Sequence, residues 1–253
     1  MSVQFDHEEL RVYQAAIGFV AWLEDVTADL ADKVSACDHL ARASAGVPVN
    51  IAEASGKRSM KERRQFVDTA YGSALECAAC LDVLTVLKLL RASIVHEGKG
   101  QLSALVSMMI GYRKSTRCEV REEGEEYDAA YRPSDRVWFD HEKLDVYRKA
   151  LELVEWCGRL RIGENVPRST VTTLDKAATG VVLNVAEGNG KFSVKDRCRF
   201  INHARTAALQ SAATLDVLAV RRVKCKPTAA EGKSQLANIV RMLVAWEQNL
   251  EER

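Results

Sequence analysis

The chain has 253 residues, 47% of them hydrophobic and 28% charged, with a formal net charge of +1. That balance suits a soluble globular protein. No run of 18 or more apolar residues appears, which excludes a membrane-spanning helix, and the opening "MSVQFDHEEL" lacks the pattern of a secretory leader.

Only 4 prolines and 14 glycines interrupt a sequence rich in Ala, Leu, Glu, Lys and Arg, so long helices are predicted. Asp6 is placed to cap a first helix, with Glu9 completing a capping box. Leu10, Tyr13, Ile17, Val20, Leu23 and Leu30 follow at helical spacing to about Lys33. A second helix spans Ser35 to Ala54, with Leu40, Val47 and Ile51 inward and Pro48 bending it. Ser59 and Glu62 form another capping box ahead of a long third helix that reaches Leu90 or beyond. Its stripe is Phe66, Ala70, Ala74, Cys77, Leu81 and Leu84, and its many small residues allow close helix approach. The "EGKG" at Glu97–Gly100 reads as a turn, and a fourth helix starts near Lys99 and runs to about Arg117, with Leu102, Leu105, Met109 and Tyr112 inward. Then comes "EVREEGEEYDAAYRPSDR", charged and poor in aliphatics, an exposed linker.

Beyond it the chain repeats itself at a fixed offset of 134 positions. "FDHEELRVY" returns as "FDHEKLDVY", "NIAEASGK" as "NVAEGNGK", and "LDVL" and "EGK" return unchanged. Trp22 maps onto Trp156, Phe66 onto Phe200 and Ser59 onto Ser193. The chain is therefore all-α: two tandem antiparallel four-helix bundles, residues 1–118 and 139–253, joined by a charged linker at 119–138. Copy two departs at "RIGENVPRS" (161–169), which breaks its first two helices apart.

The seven cysteines do not recur between copies, which points to reduced thiols and a cytoplasmic location rather than a disulfide framework. Charge is uneven: copy one is neutral, the linker is −4 and copy two is +5, so contact with a polyanion is expected at copy two.

Asn50 and Glu53, with Asn184 and Glu187, lie three residues apart near the end of the second helix of each copy. They read as a structural corner whose side chains satisfy orphan backbone groups, with Gly56 and Gly190 supplying left-handed positions in the turn. A binding role is the alternative. No second acid, histidine or nucleophile at a telling spacing supports catalysis. "ARASAGVPVNIAEASGKRSMKERRQFVDTAYGSALE" resembles the signature of small bacterial four-helix-bundle proteins. These include the proteins encoded in intervening sequences of 23S ribosomal RNA genes and the accessory variability determinant of diversity-generating retroelements. Ala54 stands where Gly is usual, whereas copy two has Gly188; Gln210 replaces the Glu76 of copy one. The resemblance implies a non-enzymatic bundle without cofactors. Members assemble into five-membered barrels, and the retroelement member binds nucleic acid and a reverse transcriptase. An odd ring does not tile simply with fused pairs, so the tandem form departs from that pattern.

Basic residues surround each third-helix start: Lys57, Arg58, Lys61, Arg63 and Arg64 in copy one, Lys191, Lys195, Arg197 and Arg199 in copy two. Helix dipoles add positive potential there, making these the best phosphate-binding candidates; an ordinary solvated helix start is the plainer reading. "RRVKCK" (Arg221–Lys226) puts Arg221 and Lys224 where copy one has leucines, and Arg222 lies between them. "HEEL" and "HEKL" lack the second histidine of a zinc-protease helix, and His7 and His141 read as first-turn residues. Cys77-x-x-Cys80 has no second pair, so no metal is expected. The expected function is nucleic-acid binding by an accessory protein that assists a reverse transcriptase or similar enzyme. The alternative is an oligomeric protein–protein scaffold. Homo-oligomers and no membrane contact are expected in either case.

Overall fold

A computed structural model describes residues 5–30, 34–115, 137–160, 168–220 and 226–251. The described residues form eight α-helices: α1 Arg11–Thr27, α2 Ser35–Gly56, α3 Met60–Val86, α4 Ala92–Ser115, α5 Asp145–Leu160, α6 Arg168–Asn189, α7 Val194–Val220 and α8 Lys226–Glu251. Short 3-10 turns at Asp6–Glu9 and Asp140–Lys143 lead into α1 and α5. In copy one α1 packs on α2 and α4, and α3 packs on α2 and α4; α5–α8 repeat that arrangement in copy two. Each copy is thus an up-down-up-down four-helix bundle, as the spacing predicts. None of the described helices is long and apolar enough to cross a membrane.

The serine caps form as read: Ser59 Oγ accepts the Glu62 amide at 3.4 Å and Ser193 Oγ accepts the Asp196 amide at 3.3 Å. Leu40, Val47 and Ile51 of α2, and Ala70, Ala74, Cys77, Leu81 and Leu84 of α3, are buried. The α2 helix runs on through Pro48. Other boundaries differ from the sequence reading. The first helix begins at Arg11, not Asp6: the Phe5 amide donates to Glu8 Oε2 at 3.0 Å, closing a 3-10 turn instead of an Asp6–Glu9 box. The core stripe of α1 is Val12, Ala16, Phe19 and Leu23, while Ile17 is exposed and Leu10, Tyr13 and Val20 are half-buried. The α3 helix ends at Val86, where Lys88 takes a left-handed φ of 58° and the Leu89 amide turns back to the Leu84 carbonyl.

The fourth helix starts at Ala92, and "EGKG" lies inside it. The repeated glycine is a packing residue. A Cβ on Gly98 would stand 2.5 Å from Trp22 Cη2, and one on Gly232 would stand 2.4 Å from Trp156 Cη2. Each copy thus seats its tryptophan ring directly on a helix backbone, which explains why Trp and the Gly of "EGK" recur together.

The two bundles meet asymmetrically. Copy one offers α3, which packs on α5 and α6 of copy two, and α2, which also touches α6. The counterpart of α3 in copy two, α7, packs on α6 and α8 of its own bundle. A two-fold pairing would have used both third helices alike, so the contact is head-to-tail. Its apolar part is close. Leu75 lies against Gly190, where a Cβ would fall within 2.0 Å of Leu75 Cδ1, and Leu87 lies against Gly158. Tyr71 packs on Phe192 with ring centroids 5.4 Å apart. The buried residues of both copies form one continuous core through this contact.

Gly232→Ala would gain up to about 1 kcal/mol of helix propensity, but overpacking against a rigid indole costs about 1–3 kcal/mol. A net loss is expected in urea unfolding of Gly232→Ala, and a net gain would show that the ring yields.

Candidate functional site

The exposed basic groups and the polar cluster between the bundles are two places where charge is organised among the described residues. At the corner between α2 and α3, the Arg63 guanidinium donates from Nη2 to the Lys57 carbonyl at 2.9 Å and the Ser55 carbonyl at 3.5 Å. Arg197 does the same in copy two, donating to the Lys191 carbonyl at 2.9 Å. These arginines, read from sequence as phosphate ligands, cap the orphan carbonyls of the preceding helix.

The asparagines do not satisfy the corner. Asn50 Nδ2 donates to the Gly46 carbonyl, and Asn184 Nδ2 donates to the Gly180 carbonyl, each at 2.7 Å and one turn back inside the helix. Gly56 is helical, and no described glycine has positive φ, so the predicted left-handed turn glycines are absent among the described residues. Glu53 is exposed. Glu187 lies against copy one beside Gly72 and holds Lys191 at 3.0 Å; burial pushes its carboxyl pKa up, against the pull of Lys191.

Lys57 sits over the Phe66 ring at 4.6 Å and Lys191 over the Phe200 ring at 4.5 Å, which explains the repeated phenylalanine. Arg64 is half-buried. Arg58, Lys61 and Lys195 are exposed and make no ion pair among the described residues. Arg199 is exposed, 3.4 Å from Asp196, with its guanidinium 5.2 Å from the centre of the Phe200 ring. The predicted basic sites therefore divide into inward-turned (Arg63, Arg197, Lys191) and outward-turned (Arg58, Lys61, Lys195, Arg199) groups. Arg221, Arg222 and Lys224 lie outside the described residues, as does most of the predicted linker. Trp138, assigned to the linker's end, packs on His96 of α4 at 4.8 Å.

Sequence reading missed the second place entirely. Lys99 of α4 is buried and ion-paired to Asp82 of α3 and, at 3.0 Å, to Glu142 of copy two. Tyr147 Oη donates to the other Asp82 oxygen at 2.8 Å. His141, read as an ordinary first-turn residue, is fully enclosed instead, stacked on Phe139 and edge-on to Tyr147. Burial, reinforced by the Lys99 charge, lowers its pKa to about 3, so the ring is neutral. Asp82, His141 and Glu142 bring potential ligand atoms within 4.8 Å of one another, but the Lys99 ammonium already supplies the cation. The signal was present in sequence: Asp in "LDVL", Lys in "EGK", and Glu and Tyr in "FDHE…VY" all recur at the same offset.

Cys77, Cys80, Cys157 and Cys198 are free thiols. Burial pushes the Cys77 and Cys80 pKa values well up, and that of Cys157 up to about 12. A family model described as 23S rRNA-intervening sequence protein matches the chain twice, over residues 8–111 and 142–245. No curated protein and no solved structure matches significantly.

Lys99→Met strands two part-buried carboxylates, and a loss of about 3–5 kcal/mol is expected in chemical denaturation; a loss below about 1 kcal/mol would mean that water replaces the ammonium. A histidine with a folded pKa near 3 and an ordinary unfolded value stabilises the fold above about pH 6.5. That contribution is lost as pH falls through about 6.5 towards 3, at about 1.4 kcal/mol per unit. Glu142, whose pKa burial raises, acts in the opposite sense, so the comparison of wild type with His141→Phe isolates the histidine. The acid limb of stability against pH is expected to be flatter in His141→Phe, and parallel curves would refute the assignment.

Proposed function

Because both halves of the chain belong to the 23S rRNA-intervening sequence protein family, we propose that it is a non-catalytic accessory protein that holds nucleic-acid backbone. It does so through the outward-turned basic residues at the starts of α3 and α7. One observation carries this reading: Arg58 and Lys61 in copy one, and Lys195 and Arg199 in copy two, stand exposed at matching helix starts. Beneath them Arg63 and Arg197 pin the corners. Four cations on fixed helix termini contact phosphates without reading bases, so either RNA or DNA is a ligand. Family resemblance supports a reverse transcriptase or similar enzyme as the protein that such binding would assist.

A second reading, an oligomeric scaffold without nucleic-acid contact, is favoured by apolar side chains that α7 leaves in solvent, Leu209 and Val217 among them.

Fluorescence anisotropy with a labelled RNA stem and a labelled DNA duplex separates the two. Binding is expected at low salt, weakening steeply with ionic strength. Arg58→Glu, Lys61→Glu, Lys195→Glu and Arg199→Glu combined should reduce affinity at least about 100-fold with unchanged helicity, since every cation removed leaves one phosphate with its counterions. Absence of binding by the wild type at low salt would leave the scaffold reading.

A further inference from the structure

We propose that the start of α7 and the α3–α4 flank of copy one form one site for single-stranded nucleic acid. An unpaired base stacks on the Phe192–Arg113 pair, and cations of both copies hold phosphates on either side of it. This site deepens the nucleic-acid contact proposed above and rests on that reading; it adds what basic corners cannot supply alone, a surface for a base.

The corner of copy two lies on the flank of copy one. Phe192, in the turn before α7, packs on Tyr71 of α3 with ring centroids 5.4 Å apart, and the Arg113 guanidinium of α4 lies 3.9 Å over the centre of its ring. Arg113 Nε donates to Asp68 Oδ1 of α3 at 2.6 Å, which holds the guanidinium in place. Burial raises the Asp68 pKa, and the charges of Arg113, Arg64 and Lys191 pull against it, so cations of both copies gather at this point. Along α3, Lys61, Arg64 and Asp68 follow at spacings of three and four residues and share one face. Lys61 therefore stands about 10 Å from Asp68 along the helix axis. On the other side, Val194, Lys195 and Arg199 are exposed in the first turns of α7. A single track runs from Lys61 and Arg64, past Arg113 and Phe192, to Lys195 and Arg199.

Phe192 is the residue that phosphate contact leaves unexplained. It stays 37% exposed among cations, although Tyr71 beside it is only 6% exposed. Its counterpart in copy one is Arg58, so the ring belongs to the junction and not to the corner as such. Aromatic rings and guanidinium planes are the surfaces on which unstacked bases lie. A duplex keeps its base faces covered and offers such a surface only phosphates. Stacking tolerates any base, which agrees with cations that read no sequence. Exposed apolar residues among cations also suit an anionic bilayer, but a ring that inserts into lipid does not keep a guanidinium over its face, pinned there by an aspartate.

Labelled oligonucleotides of RNA and of DNA, single-stranded and as matching duplexes, test this by fluorescence anisotropy on the full chain, and 2-aminopurine within the strand reports stacking. The wild type is expected to bind the single strand more tightly than the duplex and to quench 2-aminopurine. Phe192→Leu keeps an apolar side chain against Tyr71 and removes the ring; Arg113→Lys keeps the charge and removes the plane. Each should weaken single-strand binding about 10-fold, relieve the quench and leave duplex binding unchanged, and Phe192→Tyr should behave like wild type. The wild-type quench needs no variant: a bound strand whose 2-aminopurine stays bright at every position overturns the proposal. So does a Phe192→Leu chain of unchanged helicity that binds single strands like wild type, and so does binding to phosphatidylserine-containing vesicles in place of strands. Equal binding of strand and duplex, lost only when Arg58, Lys61, Lys195 and Arg199 are reversed, overturns this site and leaves the proposed function standing. Absence of any nucleic-acid binding at low salt overturns both.

Discussion

Two carboxylates from different bundles share one ammonium, and the placement of one bundle on the other depends on that arrangement. Lys99 comes from α4, Asp82 from α3 and Glu142 from the turn before α5. Burying a lysine costs several kcal/mol unless its charge is met at close range, so copy one alone holds an ammonium only half compensated. The arrival of Glu142, with Tyr147 taking the second Asp82 oxygen, completes the set. The apolar contacts of Leu75 with Gly190 and of Leu87 with Gly158 supply attraction between the bundles, but such a surface tolerates sliding. The charge cluster does not, because a shift of a single helical position takes Glu142 away from the ammonium and Tyr147 away from Asp82. Direction and register thus come from the polar groups, while adhesion comes from the apolar ones.

Much of the fold was legible because the same helical pattern occurs twice. Where the two copies agree at one offset, as in the serine caps, the small residues of α3 and the α2 stripe, the pattern matches the structure. Helix one is the instructive failure. Leu10, Tyr13 and Ile17 form a true helical stripe, but Val12, Ala16, Phe19 and Leu23 form another, and only the second faces the bundle. Periodicity finds apolar faces and does not say which neighbour each one meets. The stripe that spacing assigns to the core is the face that, in copy two, carries Tyr147 to Asp82.

The corner and the "EGK" segment failed for a different reason. Glycine followed by a charged residue resembles a turn when only local propensity is weighed, yet here the indole of Trp22, on another helix, sets the need for glycine at position 98. Arg63 and Arg197 likewise look like surface cations because charge is visible in a sequence and direction is not. Their backbone carbonyl partners become apparent only when the helix end is built. Phosphate-binding candidates at helix starts are therefore reduced by a rule with physical content: an arginine a few residues into a helix can fold back to cap the helix before it.

The divergence of the two third helices bears on what each was exposed to. Beneath copy two, α3 carries Tyr71, Gly72, Ala79 and Cys80; α7 carries Arg205, Thr206, Ala213 and Thr214 at the same places. Arg205, half-buried, and Thr206, exposed, are polar as solvent allows, whereas Thr214 is buried and turns its hydroxyl to the Gln210 carbonyl at 2.8 Å. Leu209, Asp216 and Val217 have not changed in kind, although all three are exposed. Single apolar residues on a surface need no explanation, but these fall along one face of α7, and Val220 extends it. A linker between copies makes the internal contact intramolecular, so that it forms at any protein concentration.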